Sequence, residues 1–276
     1  MRRIIALLTL TGILLCGCGG ASEEVPSTTE PEMSTAATDA PTEAPTEEPT
    51  EESTEAPTEE PTEAPTEPPF PLHSGIREDG SFDEHTLFIG DSLTYGLVSL
   101  HLKDNHLQGD AMYMAYPGAP PTVYFNGPSL TVRDPRNCLL SPGFEGLLMC
   151  DAVELVGEKV HAVYFMMGTN HVEAVCTDTY IEIVEHLLEA CPDATIYLQY
   201  VPRSWKSYIR YEDANQRILD TYTLFMEKGE TRVQLIDTCT AIGENLNTDG
   251  IHLTIAGLEE WYKELLAYAE RNGISQ

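Results

Sequence analysis

Phe88-Ile89-Gly90-Asp91-Ser92-Leu93 is the stretch around which the rest of the sequence falls into order. Residues 85–89 form a short apolar run that reads as a strand, and residues 93–102 have spacing suited to a helix. Gly90-Asp91-Ser92 is then the turn between them. A serine at such a turn projects from the strand end, and its own N–H points out of a helix start, where negative charge is favoured. Alone, the tripeptide has a plainer explanation, because serine is common at helix N-caps.

Strand and helix patterns keep alternating beyond this turn. Residues 111–116 read as a second strand closed by Pro117-Gly118, residues 145–156 as a helix and residues 160–166 as a strongly apolar third strand. Residues 179–190 place Ile181, Val184, Leu187 and Leu188 on one helical face, and Cys191-Pro192-Asp193 stops that helix. A fourth strand over 195–201, a helix over 212–228 and a fifth strand over 233–237 follow. Residues 254–272 close the chain as a helix, with Thr254 as N-cap and Gly273 as C-cap. This order predicts an α/β domain: a parallel five-stranded sheet with helices on both faces and a ligand site at the carboxyl ends of its strands. Residues 120–143, rich in Pro and Gly, break the rhythm and read as a loop or hairpin over the sheet's top.

Thr248-Asp249-Gly250-Ile251-His252-Leu253-Thr254 sits between the last strand and the last helix. A serine nucleophile needs an imidazole to accept its proton, and that imidazole needs a carboxylate on its other nitrogen. Asp249 and His252, three residues apart on one loop, supply both. Met166-Met167-Gly168-Thr169-Asn170 follows the third strand, where the Asn170 amide can donate to an oxyanion without titrating. Gly118, after the second strand, offers a backbone N–H with no side chain in the way.

These four elements resemble, in order and spacing, the SGNH (GDSL) hydrolase family: Gly90-Asp91-Ser92-Leu93, Gly118, Gly168-Thr169-Asn170 and Asp249-Gly250-Ile251-His252. The resemblance implies a three-layer flavodoxin-like fold. It also implies Ser92 as nucleophile, His252 as base, Asp249 as its orienter, and an oxyanion hole from the Ser92 N–H, the Gly118 N–H and the Asn170 side chain. His171 stands where the family pattern continues with Asp. Beyond these blocks, Tyr200, Arg203 and Trp205 follow the fourth strand at the same sheet end. They are expected to form a sugar- or acyl-contacting wall, unless Trp205 packs under its own loop.

The first 69 residues belong to a different regime. Met1-Arg2-Arg3 and the apolar run 4–15 read as a secretory signal, too short to span a bilayer. Leu15-Cys16-Gly17-Cys18 resembles a bacterial lipobox, which implies cleavage after residue 17 and acylation of Cys18, with residues 1–18 as lipoprotein signal. Residues 19–69 repeat Pro-Thr-Glu-Ala and Pro-Thr-Glu-Glu units and hold 15 acidic residues with no Lys or Arg. Recurring proline and self-repelling charge predict an extended, disordered stalk. Residues 70–276 remain as one folded domain.

The formal charge of -30 leaves that domain strongly acidic, which argues against nucleic acid as a partner and leaves the lipid anchor as the only membrane contact. Its five cysteines, Cys138, Cys150, Cys176, Cys191 and Cys239, include no C-x-x-C spacing and read as buried thiols rather than a zinc site or a disulfide framework. No metal or cofactor motif occurs. The expected activity is hydrolysis of carboxyl esters outside the cytoplasmic membrane, with the domain extending into the cell wall. Its expected substrates are ester-bearing small molecules or glycans, short O-acyl groups first among them. Transfer of acetyl groups to wall or surface polysaccharide by the same triad, or glycan binding without catalysis, are the alternatives.

Overall fold

The sheet is built around β1 (Thr86–Gly90), which lies parallel to β2 (Met112–Ala115) on one side and to β4 (Ala162–Met166) on the other. β5 (Thr195–Gln199) and β6 (Val233–Ile236) extend it beyond β4, again in parallel. The computed structural model describes residues 70–131, 138–170, 177–206 and 210–274. Cys18, the 19–69 stalk, His171 and Cys176 lie outside the described residues. Every residue of β1, β4 and β5 is buried, as expected of strands covered on both faces.

The sheet has six strands, not the expected five. β3 (Leu139–Leu140) adds an antiparallel edge beside β2, in the order β3-β2-β1-β4-β5-β6. It lies within the Pro- and Gly-rich stretch that reads as a loop or hairpin, together with the short helix α2 (Val123–Asn126). Two residues are too few to show any alternation, and Pro142-Gly143 ends the strand at once.

Two residue sets on opposite strand faces hold the layers together. Phe88, Tyr164 and Tyr197 are register partners whose rings stack at 5.1 and 4.7 Å between centroids. Their face meets α7 (Ile255–Arg271), through Tyr268 against Tyr197 and through Tyr262 against Phe82. The Tyr164 and Tyr197 hydroxyls donate to the carbonyls of Ser74 and His73, which pins residues 73–74 to the sheet. On the other face Phe165 packs edge-on against Tyr124 of α2 and Tyr180 of α4 (Thr177–Ala190). α3 (Met149–Val156) and α5 (Tyr211–Glu227) flank α4 there. α3 begins four residues later than its spacing predicts. Gly143 and Gly146 both have positive φ, and Leu130 exchanges backbone hydrogen bonds with Gly146 and Leu147, so residues 143–147 are held in turns.

The helix after β1 is α1 (Ser92–Gly96), continued by a π-helical stretch, Leu97–Leu102. α6 (Thr238–Ile242), a short helix that the sequence reading missed, follows β6 with Asp237 as its cap. α7 packs on both α6 and the π-helical stretch, so the loop leading into α7 returns to the end of β1. Four of the five domain cysteines are described and all four are buried; Cys150, Cys191 and Cys239 are free thiols.

Candidate active site

Gly90 is where strand, turn and helix crowd together. A Cβ there would sit 1.9 Å from Thr94 Oγ1 and 2.6 Å from the Met166 carbonyl, so no other residue lets β1 end against β4 and turn into α1. Asp91, not Ser92, caps the helix: its Oδ1 accepts the Leu93 N–H at 2.9 Å. The Ser92 hydroxyl is thereby left without a capping duty.

That hydroxyl lies 3.1 Å from His252 Nε2. His252 Nδ1 is 2.7 Å from Asp249 Oδ2, while Asp249 Oδ1 accepts the backbone N–H groups of Ile251 and His252 at 2.9 and 3.0 Å. Partial burial works to raise the Asp249 pKa. The His252 side chain and these two N–H groups outweigh it and hold the carboxyl at about 2. Asp249 is therefore anionic wherever His252 would need it.

The Asp249–His252 loop is braced from both sides. Asn247 N–H donates to the His252 carbonyl at 2.7 Å, and the Asn247 amide to the Leu253 carbonyl at 2.9 Å. The Gly250 carbonyl accepts from Ser204 Oγ at 2.8 Å and Trp205 N–H at 3.1 Å. Gly250 has φ +71°, and a Cβ on it would press on Trp205 Cβ at 3.1 Å. Trp205 thus lies against the catalytic loop with 60% of its surface exposed.

Asp91 joins the first and third blocks. It is fully buried, and desolvation raises its pKa against the hydrogen bonds it receives. Its Oδ2 accepts from Thr169 Oγ1 at 2.6 Å and from Asn170 Nδ2 at 3.1 Å. One hydrogen of the Asn170 amide is committed to Asp91. The amide's other neighbours, Thr169 Oγ1 and the Ala119 carbonyl, are 3.4 and 3.5 Å away, too long for strong bonds. Gly118, with φ +77°, forms the turn that brings residues 118–119 toward this amide. Asp91→Ala would orphan the Thr169 hydroxyl, the Asn170 amide and the Leu93 N–H together. We expect a loss of about 3 kcal/mol or more in urea unfolding, with a matching fall in any turnover that needs Asn170. Asp91→Asn, which keeps one acceptor oxygen, should recover part of both.

A cleft of about 420 Å³ opens beside Ser92, between α1 and the 247–253 loop. Tyr200, Arg203 and Trp205, expected as a sugar- or acyl-contacting wall at this sheet end, are not among the residues that line it. Beyond Pro202 the chain runs to the Asp249–His252 loop, where the Ser204 hydroxyl and the Trp205 N–H bond the Gly250 carbonyl, and Arg203 lies beside Cys239. The cleft is instead lined by Tyr95, Gly96, Leu100, Asn247 and Leu258 as well as the triad. Sequence reading missed Tyr95, Leu100 and Leu258 because apolar residues on amphipathic helices read as core. Among the described residues, no three His, Cys, Asp or Glu side chains gather where they could hold a metal ion.

Ser92 and Asn170 follow β1 and β4, adjacent strands at the point where strand order reverses, which is where open α/β sheets bind ligands. Together with the Asp249–His252 loop this defines the class: an α/β protein with a doubly wound, mostly parallel sheet and a Ser-His-Asp line at its switch point. No family model and no curated protein matches the sequence. Solved structures do match. A family 3 carbohydrate esterase from Talaromyces cellulolyticus is 17% identical with a TM-score of 0.44, over 69% of this chain and 99% of its own. A family two carbohydrate esterase from Clostridium thermocellum, in complex with cellohexaose, is 15% identical with a TM-score of 0.46, over 68% of this chain and 63% of its own. The catalytic domain of peptidoglycan O-acetyltransferase A from Streptococcus pneumoniae is 12% identical with a TM-score of 0.43, over 68% of this chain and 93% of its own.

Proposed function

We propose that the protein is a serine esterase, anchored through Cys18 outside the cytoplasmic membrane, that hydrolyses carboxyl esters on small molecules or glycans. The observation that carries this reading is the unbroken line Ser92 Oγ, His252 Nε2, His252 Nδ1, Asp249 Oδ2, with contacts of 3.1 and 2.7 Å at its two junctions. Ser92 and His252, which it joins, lie 160 positions apart in the chain. Neither the packing of the core nor the capping of α1 requires them to meet.

In this mechanism Ser92 Oγ attacks the ester carbonyl carbon as His252 Nε2 takes the hydroxyl proton. The Asp249 carboxylate stabilises the imidazolium and fixes its orientation. Charge on the former carbonyl oxygen is met by the Ser92 and Gly118 N–H groups and the second amide hydrogen of Asn170. The carbon–oxygen bond to the alcohol breaks, and the alcohol leaves with the proton from His252. Water then gives a proton to His252, attacks the acyl carbon and frees the acid, and Ser92 regains its proton.

The test is direct. A fluorophosphonate should modify the protein once, at Ser92, as read by peptide mass spectrometry, and p-nitrophenyl esters should be hydrolysed with acid release. A protein that neither takes the label nor releases acid from any ester would remove this reading.

A further inference from the structure

We infer that the cleft beside Ser92 is the acyl-group site and that it selects acyl chains of about six to eight carbons over acetyl. The inference rests on the serine-esterase reading and names the substrate class of that same site.

Shape is the first ground. The cleft follows α1 away from the nucleophile, and its lining runs from Ser92 to Leu100. Eight residues at about 1.5 Å rise make that a path of roughly 12 Å. A volume of about 420 Å³ lies within the range of sites that enclose a ligand. An acetyl group, with the bulk of two or three waters at roughly 30 Å³ each, would leave most of it unfilled.

The lining chemistry agrees. Leu93, Tyr95, Leu100, Pro117, Leu253 and Leu258 supply the walls. Outside the triad only Tyr95 and Asn247 bring polar side-chain atoms to the lining, and one hydrogen of the Asn247 amide is spent on the Leu253 carbonyl. A sugar ring would therefore find few free hydrogen-bonding groups here, and hydroxyls buried without partners are costly. Leu100, 49% exposed at the far end, adds apolar surface to the mouth of the cleft.

Gly96 and the helix after it create the space. Gly96 has ordinary helical angles, φ −59° and ψ −49°, so its backbone does not demand glycine. A Cβ there would reach ordinary contact, 3.6 Å, with Leu258 Cδ2 of α7. Any longer side chain would bridge α1 to α7 across the cleft. The backbone then widens at once into the π-helical stretch Leu97–Leu102, a local form common at functional sites.

The acyl group, rather than the alcohol, belongs in this cleft. The leaving oxygen takes its proton from His252, and the deacylating water must later occupy the same place. The His252 and Asp249 side chains form one end of the cleft and are each 47% exposed, so that end opens to solvent. It admits a bulky alcohol and then water. The acyl chain, which must stay beside Ser92 through both steps, takes the apolar channel.

The experiment is a two-way ester series on the purified protein. With p-nitrophenol as the fixed leaving group, kcat/KM should rise about fourfold per methylene from acetyl to hexanoyl or octanoyl, the value of about 0.8 kcal/mol per buried CH₂. With butyryl fixed, lengthening the alcohol from ethyl to hexyl should change kcat/KM less than about threefold. Gly96→Leu should cut the octanoyl-to-acetyl ratio at least tenfold, and Leu100→Asp, on the exposed rim, should lower the same ratio with the fold intact. Acetyl as the best acyl group, or a gain that follows the alcohol instead, would overturn the inference while leaving the esterase reading standing. Absence of both turnover and Ser92 labelling would remove the esterase reading itself.

Discussion

Ser92→Ala is expected to lower kcat for ester hydrolysis by about 10⁵- to 10⁶-fold and to abolish fluorophosphonate labelling, while leaving stability within about 0.5 kcal/mol of the parent. The two halves of this expectation come from different atoms. Loss of Oγ removes the nucleophile that sits 3.1 Å from His252 Nε2, and the oxyanion donors alone retain a small residual rate. Stability is spared because the cap of α1 is made by Asp91, whose Oδ1 holds the Leu93 N–H. If the hydroxyl were merely a helix-start group, the pattern would invert: stability would fall by about 1 kcal/mol with turnover untouched. Steady-state assays and urea unfolding on the same preparation separate the two outcomes.

How much of this was legible in the sequence depends on the physical scale of each signal. β1, β4 and β5 are buried on both faces and so appear as unbroken apolar runs, which chain order alone locates. Asp249 and His252 could be paired on paper because one short loop carries both, and strand–helix alternation fixes which end of the sheet they reach. β3 was hidden because two residues carry no period. α6 was hidden because five residues, Thr238–Ile242, give too little of one.

The cleft posed a different problem. Leu258 on α7 and Leu100 beyond α1 look like core positions in a helical pattern, and only packing reveals that Gly96 leaves a gap between their helices. The place of Trp205 was out of reach for a related reason. A strand end indicates where a chain leaves the sheet, but the direction after Pro202 is set by the Ser204 and Trp205 hydrogen bonds to the Gly250 carbonyl, 45 residues or more downstream. Asp91 stood inside a recognised motif without a role, and its burial and its three donors supply one: it ties the nucleophile turn to the Asn170 amide.

Asp249→Asn should lower kcat by about 10⁴-fold with little change in fold, and the cause is the division of labour between the two carboxylate oxygens. Oδ1 is committed to the N–H groups of Ile251 and His252, which only donate. An asparagine must therefore place its carbonyl oxygen there, which turns its NH₂ group toward His252 Nδ1, where Oδ2 now sits at 2.7 Å. Facing a donor, Nδ1 must accept, and the ring proton moves to Nε2. An imidazole protonated at Nε2 can donate to Ser92 Oγ but cannot take its proton. The loop should keep its shape, since both backbone bonds survive, and near-parent unfolding midpoints would show that. Asp249→Ala, which gives up those two bonds as well, should lose stability in addition to rate. Retention of more than a tenth of parent kcat by Asp249→Asn would mean that His252 is oriented by something other than this carboxylate, and the triad would have to be redrawn.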